Sequence, residues 1–280
     1  MIEERRYSNT DEKPSSVLDE RNDELYKEFN RKDLLVSNFK LVKDEILKNQ
    51  TSSVTDQIVR LVAVSKYQPS SDILTIYNET GHLNFGENYL SELEEKMSKL
   101  PKDIKWHFIG TLQTNKCKTL GSLPGLFAIE TVDSMKKAQL IQRSRKQLSE
   151  SFKDLKALEI YLQINTSNEP EKSGFKINQQ EGFEKVYETS KFIIESCDWL
   201  ELRGLMTIGS IDRSKSTNHL NLNSDFDRLV RVRDDLSTRL DGYRLGLSMG
   251  MSEDFGLAIR MGSDNVRVGS KIFGKRPVKS

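Results

Sequence analysis

Short apolar segments alternate with helix-like stretches along most of this 280-residue chain. The segments are rich in β-branched and aromatic residues and end in polar or glycine-containing loops, as buried parallel strands do. The predicted strands are 58–65, 82–86, 105–110, 126–130, 158–164, 202–208, 244–249 and 265–269. Parallel strands need crossover connections, which are usually helices, so this alternation places the chain in the α/β class.

The connections between these strands have the apolar spacing and length of helices. They are predicted at 70–79, 89–100, 134–148, 181–195 and 224–240, with short connections at 114–120 and 252–261. Ser252, followed by two acidic residues, is the predicted N-cap of the last of these. Eight such repeats are typical of a (β/α)8 TIM-type barrel of about 250 residues. The alternative is a doubly wound open sheet, but the first strand lacks a following G-x-G-x-x-G motif, which favours the barrel.

The N-terminal region differs from the rest. Residues 1–33 are polar and highly charged, and we expect this extension to be flexible in part. Asp33 is a plausible N-cap, and an apolar stripe with helical spacing follows it at Leu35, Phe39, Val42 and Ile46. The sequence therefore predicts an N-terminal helical extension, 1–33, and a barrel domain, 34–280.

Composition excludes several classes of function. Lys plus Arg is 43 and Asp plus Glu is 42, a net charge of +1, which argues against a nucleic-acid-binding protein. No apolar run approaches the roughly 20 residues that span a bilayer, and the polar N-terminus resembles no targeting signal. Two distant cysteines and three scattered histidines offer neither a disulfide framework nor metal-ligand spacing. We therefore expect a cytoplasmic protein without a metal site.

Lys66 ends the first predicted strand and shares a face with Val62 and Val64. Because active sites of such barrels lie at the C-terminal ends of the strands, this lysine is a candidate functional group. A partly desolvated lysine has a lowered pKa and can form a Schiff base with an aldehyde. The alternative is a lysine whose head group simply extends into water.

The last two strands carry the features of a phosphate site. Barrels often bind phosphate at the loops after strands seven and eight, where glycine lets backbone N–H groups approach the anion. The candidates are Ser248 and Gly250 after strand seven, and Arg267, Gly269 and Ser270 at strand eight. Ordinary turn chemistry is the alternative explanation. A ligand with an aldehyde at one end and a phosphate at the other would engage both regions, and pyridoxal 5′-phosphate is such a ligand.

A competing motif, Gly246 to Gly250, matches the G-x-S-x-G nucleophile elbow of α/β-hydrolases. In those enzymes the catalytic histidine follows the serine along the chain. Here every histidine precedes Ser248, so we reject that hypothesis. Glu87 and Asn88 follow strand two and either reach the barrel mouth or serve as caps.

Seven strings, taken in order, resemble the pyridoxal phosphate homeostasis proteins, single-domain relatives of the alanine racemase barrel. The strings are AVSK (63–66), NFGENY (84–89), WHFIGTLQTNK (106–116), KSGF (172–175), LRGLMTIG (202–209), LSMGMSEDF (247–255) and VRVGSKIFG (266–274). The resemblance implies a barrel that binds pyridoxal 5′-phosphate, with Lys66 as the Schiff-base lysine. It implies that Ser248, Arg267, Gly269 and Ser270 handle the phosphate. Asn88, Met249 and Gly250, from the same strings, complete the candidate cofactor-binding set.

The resemblance also implies a function without an established reaction, which is to buffer the free cofactor and to deliver it to apo enzymes that depend on it. An amino-acid racemase or decarboxylase on the same barrel is the alternative. Those enzymes carry an additional β-domain, which we expect this chain to lack, since it stops shortly after the last strand. The expected partners are therefore the cofactor and apo enzymes, and we expect a monomer.

Overall fold

The computed structural model describes residues 16–50, 58–177, 180–210 and 223–274. The strands are β1 (Arg60–Val64), β2 (Asn84–Glu87), β3 (Lys105–Phe108), β4 (Leu126–Val132), β5 (Leu158–Asn165), β6 (Phe175–Lys176), β7 (Leu200–Met206), β8 (Gly246–Ser248) and β9 (Asn265–Val268). The helices are α1 (Ser16–Asn49), α2 (Ser70–Thr80), α3 (Leu90–Lys99), α4 (Cys117–Gly121), α5 (Met135–Ser149), α6 (Gln180–Ser196), α7 (Ser224–Arg239), α8 (Phe255–Arg260) and α9 (Ser270–Phe273).

The strands form a closed parallel barrel. Their order is β4-β3-β2-β1-β9-β8-β7-β5, and a further pairing of β4 with β5 joins the two ends. That pairing excludes the open doubly wound sheet and confirms the predicted (β/α)8 barrel. The two-residue β6, which the sequence did not predict, pairs with β5 in a separate small sheet.

Alternate residues along each strand face the helices or the barrel interior. On β1, Leu61 and Ala63 pack into the large apolar cluster that also contains Ile73 of α2 and Phe85 of β2. That cluster forms the layer between strands and helices. The positions between them on the strands face the barrel interior, where several polar side chains are buried.

Helix α1 packs against the outside of the barrel. The predicted stripe is confirmed, because Leu35, Phe39, Val42 and Ile46 are all buried in the apolar cluster. Arg31 donates to Asp72 of α2 and to the carbonyl of Phe273 at the end of α9. These contacts fix α1 to the helices that precede β2 and follow β9.

The start of α1 corrects one prediction. Asp33 is not an N-cap, because it lies inside α1 (Ser16–Asn49), which is continuous through that residue. The segment from 16 to 33 is rich in Glu, Lys and Arg, which favour helix even without an apolar stripe. Residues 1–15 of the predicted flexible extension lie outside the described residues.

Adjacent leucines on α1 test this packing. Leu35 is fully buried and Leu34 is 50% exposed. We expect Leu35→Ala to lower the free energy of unfolding by about 2–5 kcal/mol, because it leaves a cavity in the core. The matched control, Leu34→Ala, should cost less than about 1 kcal/mol. Urea denaturation monitored by circular dichroism checks both, and equal losses would show that α1 does not pack through this stripe.

Candidate functional site

The C-terminal ends of β2, β1, β9 and β8 lie side by side at one mouth of the barrel. β1 pairs with both β2 and β9, and β9 pairs with β8. Lys66 follows β1, Asn88 follows β2, and Gly269 follows β9. Barrel closure therefore brings together, at adjacent strand ends, candidates that lie far apart in the sequence.

Lys66 lies in the turn that leaves β1. Its side chain is partly exposed. The next residue, Tyr67, adopts a left-handed backbone conformation with φ of 64°, which is uncommon for a residue with a side chain. The hydroxyl of Tyr67 is hydrogen-bonded to that of Tyr89, which follows Asn88 at the end of β2. The residue after Lys66 is thus linked to the end of the neighbouring strand.

The loops after β8 and β9 run alongside each other. The N–H of Arg267 donates to the carbonyl of Gly250 at 3.0 Å, and the N–H of Gly269 donates to Ser252 Oγ at 3.3 Å. Gly250 has a φ of 95°, and a Cβ there would lie 2.6 Å from that of Ala258. Ser270 is exposed at the start of α9. The two loops from which the sequence predicts a phosphate site therefore lie side by side.

Ser252 corrects a second prediction. It is not the N-cap of α8, which begins at Phe255 after Asp254. Its side chain instead reaches the loop after β9, where the sequence placed only Gly269 and Ser270. The sequence did contain a signal for this role of Ser252, because Ser252 lies only two residues after Gly250 in the predicted phosphate loop.

Two of the predicted phosphate residues lie deeper in the structure. Ser248 is fully buried and donates to Glu130 Oε2 at 2.6 Å. Arg267 donates to Ser248 Oγ at 2.5 Å and to the carbonyl of Thr207 at 2.8 Å. Both side chains therefore belong to a polar network inside the barrel, beneath the mouth. Met249 packs into the apolar layer and can offer a ligand only its backbone.

Glu130 is at the centre of this interior network. It accepts from His107 Nδ1 at 2.7 Å and from Asn265 Nδ2 at 3.1 Å, and Arg267 lies 3.9 Å away. Burial alone would raise the pKa of Glu130, but the hydrogen bond and charge of His107 and the charge of Arg267 outweigh it and hold the pKa at about 2. The network therefore supplies a fixed anion that orients Arg267 below the mouth.

A second buried cluster lies beside the β1 turn. Lys96 of α3 forms ion pairs with Glu87, at the end of β2, and with Glu92, one helical turn earlier. Burial raises the pKa of Glu87 to about 7, although the charge of Lys96 opposes the shift. The sequence identified Glu87 as a cap or mouth residue but gave no signal for Lys96, which looks like any helix-surface lysine.

Two other lysines of the matching strings form ion pairs or hydrogen bonds elsewhere. Lys271, the other lysine near the phosphate loop, forms an ion pair with Glu45 of α1 outside the barrel. Lys172, in the KSGF string, donates to Glu169 and to the carbonyl of Gly209. Within the described ranges, no group of three or more His, Cys, Asp or Glu side chains could hold a metal ion. None of the described helices is long and apolar enough to cross a membrane.

Comparison with known proteins identifies the family. The family described as "Alanine racemase, N-terminal domain" matches residues 46–277. A pyridoxal phosphate homeostasis protein of Schizosaccharomyces pombe is 43% identical over 236 residues, which are 84% of this chain and 92% of the relative. The chain belongs to the pyridoxal phosphate homeostasis protein family. The human member is 41% identical over 78% of this chain and 76% of its own length.

Solved structures agree with this family and fold. PipY of Synechococcus elongatus PCC7942, solved with pyridoxal phosphate bound, is 26% identical and superposes with a TM-score of 0.66 over 86% of this chain and 100% of PipY. Alanine racemase of Clostridium difficile 630 is 16% identical with a TM-score of 0.61, over 88% of this chain and 58% of the racemase. The racemase shares the barrel fold over part of its length, whereas PipY shares it over its whole length.

Proposed function

We propose that this chain binds pyridoxal 5′-phosphate covalently through Lys66, buffers the free cofactor and delivers it to apo enzymes. The observation that carries the proposal is the position of Lys66, at the end of β1, beside the glycine loop that follows β9. A Cβ on Gly269 would lie 3.2 Å from the carbonyl oxygen of Val64, two residues before Lys66. A ligand that spans an amine and an anion cradle fits this juxtaposition.

The residues at the mouth fit the cofactor's groups. The cofactor, when bound, supplies an aldehyde for linkage to an amine and a phosphate for anchoring. Lys66 would form the Schiff base, in which its amine nitrogen joins the aldehyde carbon and water leaves. The N–H groups of Gly250 and Ser270, with the Ser252 hydroxyl, would hold the phosphate, because N–H groups in glycine loops bind anions. The Gly269 N–H would position the Ser252 hydroxyl, whose oxygen accepts from it.

Two further groups complete the fit. Asn88 Oδ1 is buried and has no hydrogen-bond partner among the described residues, so it is available to a ligand at the mouth. Arg267, held by Ser248 and Thr207, would lie below the ring rather than at the phosphate. We therefore revise its expected role from holding phosphate to supporting the ring.

Delivery, rather than turnover, is favoured by the relatives, whose names describe homeostasis and not a reaction. Catalysis at a substrate α-carbon needs an acid or base within hydrogen-bond reach. Two tyrosines bear on that requirement. Tyr161 is buried inside the barrel, where burial raises its pKa well above the ordinary value. Tyr89 is 45% exposed, and its hydroxyl is hydrogen-bonded to that of Tyr67. A racemase or decarboxylase on the same barrel remains the alternative, and we keep the sequence-based expectations of a cytoplasmic monomer.

Covalent attachment is tested by Lys66→Ala. We expect wild-type protein with bound cofactor to show a visible absorption band that borohydride removes, with the reduced adduct mapping to Lys66. The variant should lose the band and keep its circular dichroism spectrum, because the lysine lies in a turn and not in the core. Lys271→Ala is the matched control and should keep the band. An adduct recovered on Lys271 or another lysine would contradict the assignment.

The phosphate cradle is tested by comparing two forms of the ligand. We expect Ser252→Ala to weaken binding of pyridoxal 5′-phosphate about tenfold, the scale of one hydrogen bond to a charged group, and to leave pyridoxal binding unchanged. Arg267→Ala should weaken both forms to a similar extent, because its side chain lies in the interior network. Equilibrium dialysis measures both. A loss specific to the phosphorylated form in Arg267→Ala would return that arginine to the phosphate.

A further inference from the structure

The turn that carries Lys66 is held by hydrogen bonds of Ser65 and Tyr67, the residues on either side of that lysine. Ser65 Oγ donates to Glu87 Oε1 at 2.6 Å, and the Ser65 N–H donates to the carbonyl of Gly86 at 3.0 Å. On the other side, the Tyr67 N–H donates to Glu92 Oε1 at 2.6 Å. Because Tyr67 is in a left-handed conformation, the turn depends on such contacts to keep its shape.

A single ammonium group joins these contacts. Lys96 Nζ donates to the Ser65 carbonyl at 2.8 Å, to Glu87 Oε1 at 2.8 Å and to Glu92 Oε1 at 2.7 Å. A lysine has three N–H donors, and all three are used here. Lys96 is only 4% exposed, so water competes little for these bonds. The two carboxylate oxygens that hold Ser65 and Tyr67 are thus fixed to one point on α3.

The charge of Lys96 also has a structural purpose. Glu87 is fully buried, and its Oε2 has no hydrogen-bond partner in the described part of the chain. A buried carboxylate without a nearby cation is costly, so removal of Lys96 would favour protonation of Glu87 or rearrangement around it. Either change would loosen the hold on Ser65.

We propose that Lys96 is a positioning residue for Lys66. The Lys96 ammonium fixes the turn on both sides of Lys66, and so it fixes the direction in which the Lys66 side chain extends from the end of β1. The inference rests on the proposed function, in which Lys66 carries the cofactor. All three donors of Lys96 are used by Ser65, Glu87 and Glu92, so it acts through these residues and through Tyr67.

Lys96→Met tests the proposal first in the protein without cofactor. We expect hydrogen exchange at the Tyr67 amide to accelerate at least about tenfold, because its acceptor Glu92 is no longer held. The matched control is Lys99→Met on the same helix. Lys99 forms the same type of i,i+4 pair, with Glu95, but is exposed, and its removal should leave Tyr67 exchange unchanged. Unchanged exchange in Lys96→Met would overturn the proposal.

The second measurement separates positioning from general damage. We expect Lys96→Met to lower the rate constant for covalent attachment of pyridoxal 5′-phosphate to Lys66 about tenfold or more, since a misplaced amine attacks more slowly. Affinity for 4′-deoxypyridoxine 5′-phosphate, which lacks the aldehyde, should change less than about threefold. Equal losses in rate and affinity would overturn the proposal, and an unchanged rate would do the same.

A second variant covers failure of Lys96→Met to fold. Glu92→Ala removes the acceptor of the Tyr67 N–H from a partly exposed position. We expect the same selective fall in attachment rate, about threefold to tenfold. If wild-type protein itself gives no adduct on Lys66, the proposed function fails, and the amide exchange of Tyr67 still decides whether Lys96 holds the turn.

Discussion

The pairing of β1, the first strand, with β9, the last, is the constraint on which the site depends. Because these two strands pair, β1 lies between β2 and β9, and the strand ends at one mouth have fixed neighbours. Lys66 and Gly269 then lie at adjacent strand ends, although about 200 residues separate them in the sequence. A sheet in which β1 and β9 did not pair would keep these two residues apart.

Two buried ionic networks give the mouth its rigidity, and they do so at different depths. Inside the barrel, Glu130 joins His107, Ser248 and Asn265 from three other strands and orients Arg267. Beside the barrel, Lys96 joins β1, β2 and α3. Buried charges are tolerated when they are paired and hydrogen-bonded, and both networks meet that condition. These two networks therefore support the loops at the mouth from below and from the side.

Much of the fold could be predicted from local patterns, and the site only in part. The apolar runs predicted the strands to within about two residues, since burial on both faces leaves a clear signal. The positions of Lys66 and Gly269 followed from strand order. The contacts of Ser248, Arg267 and Ser252 could not be predicted, because they depend on register across the ring. Lys96 has no local signature at all, since only tertiary packing makes it differ from Lys99.

In the proposed function, the chain holds its cofactor covalently and gives it up to other proteins. The most direct test is to mix the loaded protein, freed of unbound cofactor by gel filtration, with an apo aminotransferase. We predict that enzyme activity returns while the visible band of the loaded protein falls by a matching amount. The control is free pyridoxal 5′-phosphate at the concentration that is in equilibrium with the loaded protein. If enzyme activity returns no faster than it does in that control, delivery is contradicted. Saturable racemisation or decarboxylation of amino acids, abolished by Lys66→Ala, would establish the enzyme alternative instead.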